Sequence, residues 1–145
     1  MFDRTVRSVM QRRKMLKAPP DIVVAKAAKL MESTNAGAVL IVEGERLVGI
    51  FTERDVVFRV VAQGRDPQAT SVAEVMTPSP RTIGPDAPFG YALFIMHEGG
   101  FRHLPVVDDG KPVGIVSARS AMDPDLEEFV SEAQRREYFA KKGCG

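Results

Sequence analysis

Gly49-Ile50-Phe51-Thr52-Glu53-Arg54-Asp55 closes one apolar run and opens the next periodic stretch, and a weaker copy, Gly114-Ile115-Val116-Ser117-Ala118-Arg119-Ser120, follows 65 residues later. The same offset lays Ala38-Val39-Leu40-Ile41-Val42 on His103-Leu104-Pro105-Val106-Val107 and Arg46-Leu47-Val48 on Lys111-Pro112-Val113. Upstream, Val24, Ala27, Ala28 and Met31 fall on Phe89, Ala92, Leu93 and Met96, one helical stripe kept in both halves. Asp21 falls on Asp86, each placed to cap the helix that follows. Val6-Arg7-Ser8-Val9-Met10 matches Val72-Ala73-Glu74-Val75-Met76 with one extra residue of offset, taken up in the next loop. The chain is thus an internal repeat, and no single residue outweighs that fact.

Each half reads as short helix, loop, helix, strand, tight turn, strand, helix. Glu43-Gly44-Glu45 and Asp108-Asp109-Gly110 are short enough to make each strand pair a hairpin. Strands this apolar predict burial on both faces. The reading places helices at 22–34, 53–62 and 88–98 and strands at 38–43, 46–51, 103–108 and 112–116, with one short strand around Arg81-Thr82-Ile83. Asn35-Ala36-Gly37 and Gly99-Gly100 end the two main helices. Ser71 with Glu74 forms a capping box for a short helix ending near Met76. The units are 6–63, a first repeat with its lead-in helix; 64–70, a linker; 71–122, a second repeat; and 123–145, an extension with a helix over about 125–140. A half of roughly 60 residues is marginal alone. Two copies stacked on their sheets give an α+β fold with a plausible core.

The 145 residues suit one domain or two subdomains sharing a core, and a net charge of +1 offers no general argument for a nucleic-acid or membrane surface. No run reaches the roughly 20 apolar residues of a spanning helix. The N-terminus lacks a secretory pattern. The lone Cys144 cannot form an internal disulfide, which fits a cytoplasmic location. The basic lead-in, residues 1–17, lacks aromatic platforms and reads as an amphipathic packing helix rather than a nucleic-acid binder.

Thr52 and Asp55 stand where a strand meets a helix. A capping box explains both, with the hydroxyl accepting from the first turn and the carboxylate favoured by the helix dipole. The same corner also suits a nucleotide. Free N–H groups and the Thr52 hydroxyl can meet a phosphate, Asp55 can accept from ribose hydroxyls, Gly49 allows close approach, and Ile50 belongs to an apolar strand against which a base can slide. Geometry alone leaves both readings open.

The pattern resembles the tandem cystathionine-β-synthase-type repeat, the CBS domain pair, over about residues 6–122. The resemblance is carried by Asn35 to Val42, Leu47 to Asp55, Val75-Met76-Thr77-Pro78, Phe101-Arg102-His103-Leu104-Pro105-Val106-Val107-Asp108 and Val113 to Ser117. It implies two repeats packed through their sheets into a disc-like, pseudo-twofold module with two clefts, commonly paired as a homodimer. Such clefts bind adenosine ligands, namely AMP, ADP, ATP or S-adenosylmethionine. Thr52 and Asp55 are then the leading site residues, with Arg54, Arg102 and His103 near phosphates. Ser117 keeps the hydroxyl in the second repeat, but Ser120 replaces the carboxylate, so the two clefts should be unequal. The function expected is a stand-alone regulatory module that passes ligand occupancy to a protein partner. The alternative is a structural dimerisation module with vestigial clefts.

No metal-ligand spacing, P-loop or nucleophile–base pair is present, so neither an enzyme nor a catalytic cofactor is expected. His97 lies off its helix's apolar stripe and reads as a surface residue.

Overall fold

The computed structural model describes residues 4–11, 15–122, 132–133, 135–137 and 140. Most of the helix expected at 125–140, and Cys144, lie outside them; the described residues of that stretch are helical, and Arg136 pairs with Glu132 at 2.9 Å.

The first sheet has the order β1-β2-β3-β4, from Leu16–Ala18, Ala38–Glu43, Arg46–Thr52 and Thr77–Pro78. β1 runs parallel to β2, and the other pairs are antiparallel. The second sheet is the hairpin of β5 (His103–Asp108) and β6 (Lys111–Ser117). Single bridges extend it, Ile83 beside Val106 and Gln11 beside Ile115, in the places β1 and β4 hold in the first. The strand expected at Arg81-Thr82-Ile83 is therefore reduced to one bridge. Asp109 and Gly110 both have positive φ, as a two-residue turn matched to strand twist requires.

The helices are α1 (Val6–Val9), α2 (Val24–Thr34), α3 (Glu53–Asp55) and α4 (Phe89–Gly99), with 3-10 turns at Val72–Glu74 and Ala118–Met122. Asn35 at φ 52° and Gly100 at φ 70° end α2 and α4 in the left-handed conformation anticipated from their types. Val24, Ala27 and Met31 on α2, and Phe89, Ala92 and Met96 on α4, are buried as the repeated stripe predicts, and His97 is exposed. The expected caps at Asp21 and Asp86 are corrected. The N–H groups of Val24 and Ala25 donate to Thr70 and Pro67 carbonyls of the linker, each at 2.9 Å, and that of Phe89 donates to the Arg4 carbonyl at 2.6 Å. Backbone already brought alongside satisfies these donors, and Asp86 instead pairs with Arg7 at 3.2 Å.

The helix expected at 53–62 is also corrected. After α3 the chain widens into a π-helical segment, Val56–Val61, in which Ala62 N–H donates to the Val57 carbonyl and Arg65 N–H to that of Val60. Val60 points into the core while Val57, Phe58 and Val61 remain exposed.

Three apolar clusters hold the fold. The first joins α2 and the inner faces of β2 and β3, with Val39, Ile41, Phe51 and Val60 fully buried. The second joins α4 with β5 and β6 through Phe89, Ile95, Leu104 and Val106. The third, Ala38, Leu40, Ile50 and Ile115, lies on the opposite strand faces and joins the two sheets. The strands are thus buried on both faces.

The lead-in segments are exchanged. Val6 belongs to the core of the second half, and α1 bonds to that half through Val6 N–H to the Ala87 carbonyl (2.9 Å) and Arg7 N–H to that of Pro85 (2.8 Å). Val72 and Val75 belong to the core of the first half, and Val72 N–H donates to the Ile22 carbonyl at 2.8 Å. A Cβ at Gly49 would overlap Met76 Sδ, and one at Gly114 would lie 2.7 Å from Met10 Sδ, so each strand glycine receives the methionine of the other half's lead-in. Gly49→Val should therefore overpack the joint by about 1–3 kcal/mol. Thermal denaturation should show Tm lowered by roughly 2–4 °C per kcal/mol, with recovery in Gly49→Val/Met76→Ala. An unchanged Tm in the single variant would refute the contact's importance.

Candidate functional site

The ends of β3 and β6 open into two clefts between the halves. The first, about 730 Å³, is lined by Ile50, Thr52, Glu53, Arg54 and Asp55 from the strand–helix junction. Val57, Phe58 and Arg59 extend that wall; Thr77 and Ser79 to Arg81 form a second, and Gly99 to His103 a third. The other cleft, about 830 Å³, has Ser117, Ala118 and Arg119 on one side and Gln11, Glu32 and Asn35 to Ala38 on another. Glu53, Val57, Arg102 and His103 border both.

At the first junction Thr52 is the N-cap of α3. Asp55 Oδ2 accepts from Thr52 N–H at 2.9 Å and from its hydroxyl at 3.3 Å, and Asp55 N–H donates back to Thr52 Oγ1 at 3.4 Å. Asp55 Oδ1 lies 3.5 Å from Arg59 Nε. Arg59 also donates to the carbonyls of Val75 and Met76, at 3.2 and 3.1 Å, tying the π-helical segment to the exchanged lead-in. Burial pushes the Asp55 carboxyl above its ordinary range, opposed by the Thr52 N–H and by Arg59. The capping box is real, and it fixes the carboxylate on the cleft wall. Capping and ligand contact are therefore compatible, since a carboxylate has lone pairs left for further donors.

At the second junction the pattern survives without charge. Ser117 N–H donates to Ser120 Oγ, and Ser120 N–H donates to Ser117 Oγ, both at 3.3 Å. Ser117 lines its cleft, whereas Ser120 is spent on the cap and is not among the lining residues. Gly49 likewise sits behind the first cleft, against Met76, and does not line it.

The first cleft gathers Arg54, Arg59, Arg81, Arg102 and His103 against two acids, Glu53 and Asp55. The Arg54 guanidinium lies 4.9 Å from the centroid of the Phe58 ring. Burial lowers the His103 pKa, Glu53 raises it and Arg102 lowers it further; the net direction is downward, so the imidazole is neutral at neutral pH. Glu53, Phe58, Arg59, Gly99 and Gly100 were not anticipated as site residues. Glu53 and Arg59 flank the nominated Thr52–Asp55 segment, but the strand–helix pattern alone does not show that they face a cleft. Among the described residues, no group of three or more His, Cys, Asp or Glu side chains is placed to hold a metal.

The CBS domain profile matches residues 6–62 and 72–124. An Arabidopsis thaliana protein, CBS domain-containing protein CBSCBSPB1, is 46% identical over 105 residues, covering 71% of this chain. The chain spans only 19% of that relative's length. An uncharacterised Methanopyrus kandleri protein is 31% identical over 135 residues, covering 91% of this chain and 69% of its own. Among solved structures, the CBS domain pair of protein MJ0100, in complex with 5′-methylthioadenosine and S-adenosyl-L-methionine, superposes with a TM-score of 0.75 at 28% identity. That superposition covers 81% of this chain and 96% of the other.

Proposed function

The chain belongs to the CBS domain family, whose paired repeats are regulatory, ligand-binding modules and not catalysts, and from that premise we propose that it senses a phosphorylated adenosine nucleotide in the Thr52 cleft. The observation that carries this reading is the convergence of Thr52, Asp55 and four arginines on one 730 Å³ cleft. Asp55 Oδ1 would accept from ribose hydroxyls. Thr52, Arg54, Arg81 and Arg102 would meet the phosphates, and Ile50 and Phe58 would contact the base. Thr52 acts by its hydroxyl and the arginines by charge, so affinity should rise with phosphate number and be screened by salt. S-adenosylmethionine, whose sulfonium is a cation, should bind more weakly than AMP, ADP or ATP. Calorimetric titration of all four ligands tests this. Tighter binding of S-adenosylmethionine would overturn the preference for phosphate, and no binding by any of them would sink the sensing reading.

Occupancy would act by drawing the two halves toward the ligand-bound arrangement, which requires unequal affinities for two states. A protein partner would read the altered surface. A second copy of the chain is the first such partner proposed. α4 is apolar from Phe89 to Met96, with Tyr91 and Phe94 stacked on its outer face at 6.4 Å between centroids, where the repeat offset places Lys26 and Lys29 on α2. Val57 and Val61 add exposed apolar surface at 53% and 69% accessibility. In light scattering, Tyr91→Glu/Phe94→Glu should fall from dimer to monomer mass, since buried interface aromatics typically contribute about 2 kcal/mol or more each. A dimer unaffected by both changes would remove α4 from the interface. These same faces favour the second reading, a dimerisation module, if the clefts prove unable to bind.

A further inference from the structure

The two clefts share a wall that exists in only one copy. Arg102, His103 and Glu53 border both cavities. Their counterparts under the repeat offset are Gly37, Ala38 and Ala118, which carry no charge. The wall is pinned by two equivalent backbone bonds. Glu53 N–H donates to the Gly37 carbonyl at 3.1 Å, and Ala118 N–H donates to the Arg102 carbonyl at 2.8 Å. Arg102 is thereby fixed to the helical turn that follows Ser117, while its side chain is exposed. Glu53 is fixed to the start of α3, directly after Thr52. The side chains of Glu53 and His103 both crowd Gly37, where a Cβ would meet Glu53 Oε1 at 2.9 Å and His103 Nε2 at 3.0 Å.

The clefts differ in what else they offer an anion. The Thr52 cleft has Arg54, Arg59 and Arg81 besides Arg102. The Ser117 cleft has Arg119 besides Arg102, facing the acids Glu32 and Glu53. Removing one guanidinium from the Ser117 cleft therefore halves its arginine complement.

We propose that the clefts compete for Arg102, so that an anionic ligand in the Thr52 cleft weakens anion binding in the Ser117 cleft. This rests on the reading of the clefts as nucleotide sites. One guanidinium cannot donate its planar fork to phosphates in two cavities at once. The cleft with more arginines takes it first, and the other is left with Arg119 against two carboxylates. Coupling is reciprocal: occupancy of the Ser117 cleft lowers affinity at the Thr52 cleft by the same factor. The module would then respond to nucleotide over a wider concentration range than two independent sites allow.

The test is ATP titration by calorimetry into the intact chain, Asp55→Asn, Arg102→Gln and Arg102→Gln/Asp55→Asn. Asp55→Asn weakens nucleotide binding at the Thr52 cleft by roughly ten- to a hundredfold, so its first binding step reports the Ser117 cleft with that competition removed. That affinity should exceed the second-step affinity of the parent chain by about fivefold or more. In the Arg102→Gln background the two values should agree within about twofold. Arg102→Lys, which keeps charge but not the fork, should give an intermediate ratio. The side chain of Arg102 is exposed and only its backbone joins the wall, so folding should survive each change. Equal affinities in the parent chain and Asp55→Asn overturn the competition and leave nucleotide sensing intact. One ATP per chain in the parent and none in Asp55→Asn overturns it as well, because the Ser117 cleft then takes no nucleotide. No ATP bound by the parent overturns both readings together.

Discussion

Asp55→Asn should weaken nucleotide binding at the Thr52 cleft by roughly ten- to a hundredfold, the loss expected for a charge-assisted hydrogen bond, without lowering the Tm. The two effects separate because the cap and the proposed ribose contact draw on different properties of the side chain. An amide oxygen can still accept from Thr52 N–H, the 2.9 Å bond that closes the cap. Arg59 loses a partner at 3.5 Å but keeps the carbonyls of Val75 and Met76. What the amide removes is a carboxylate that burial holds above its ordinary pKa.

A raised folded-state pKa means that the protonated form is favoured by folding. Its stabilisation is present below the ordinary carboxylate range and is lost as pH rises through the folded value. At neutral pH the ionised Asp55 is therefore a cost to the fold, which donors of a bound ligand would offset. The Tm difference between Asp55→Asn and the parent should shift in the variant's favour from about pH 4 to neutrality. Ser120 illustrates a neutral cap at the equivalent corner, with bonds of 3.2–3.3 Å. A variant that melts well below the parent while binding ATP unchanged would assign Asp55 to the fold alone.

The second large effect concerns how the chain divides. A fragment of residues 6–62 follows the sequence repeat, whereas one of 15–78 follows the packing. The shorter-sighted cut should fail. It discards Val72 and Val75, both buried in the first core, and β4, while retaining α1, whose Val6 has no core to enter. Burial of each valine contributes about 1.5–3 kcal/mol, against about 3–9 kcal/mol for a unit of ~60 residues at ordinary per-residue stability. Far-UV circular dichroism should show a cooperative melt for 15–78 and little folded signal for 6–62. Equal folding of the two fragments would contradict the exchange of lead-ins as an energetic fact.

The same contrast marks what could be read from residues alone. The hairpins, the two main helices and their left-handed ends were legible because each depends on local pattern: paired apolar runs joined by a tight turn, a helical stripe, Asn35 and Gly100 at helix ends. The exchange was not, since matching Val6-to-Met10 with Val72-to-Met76 says that the segments are equivalent and nothing about which sheet each joins. Asp21 and Asp86 looked like caps only while the linker and the Arg4 carbonyl were out of sight. The widened turn at Val56–Val61 has no signature in four valines, a phenylalanine and an arginine that would serve an α-helix equally. Of the candidate site, Thr52, Ile50, Asp55, Arg54, Arg102 and His103 do converge on one cleft. Glu53 escaped notice because its importance comes from a wall made jointly with the other half.

The exchanged lead-ins also bear on ancestry. A one-repeat chain that dimerised by lending its arm to its partner would already possess both cores, the joint between sheets and two identical clefts. Duplication in tandem would need to supply only a short bridge, met here by residues 64–70, whose Pro67 and Thr70 carbonyls also cap α2. Joined in one chain, two copies have no obligation to be alike. Asp55 and Ser120, Lys26 and Tyr91, Gly37 and Arg102 are divergences that a true homodimer, bound to repeat every residue on both sides, could not have made.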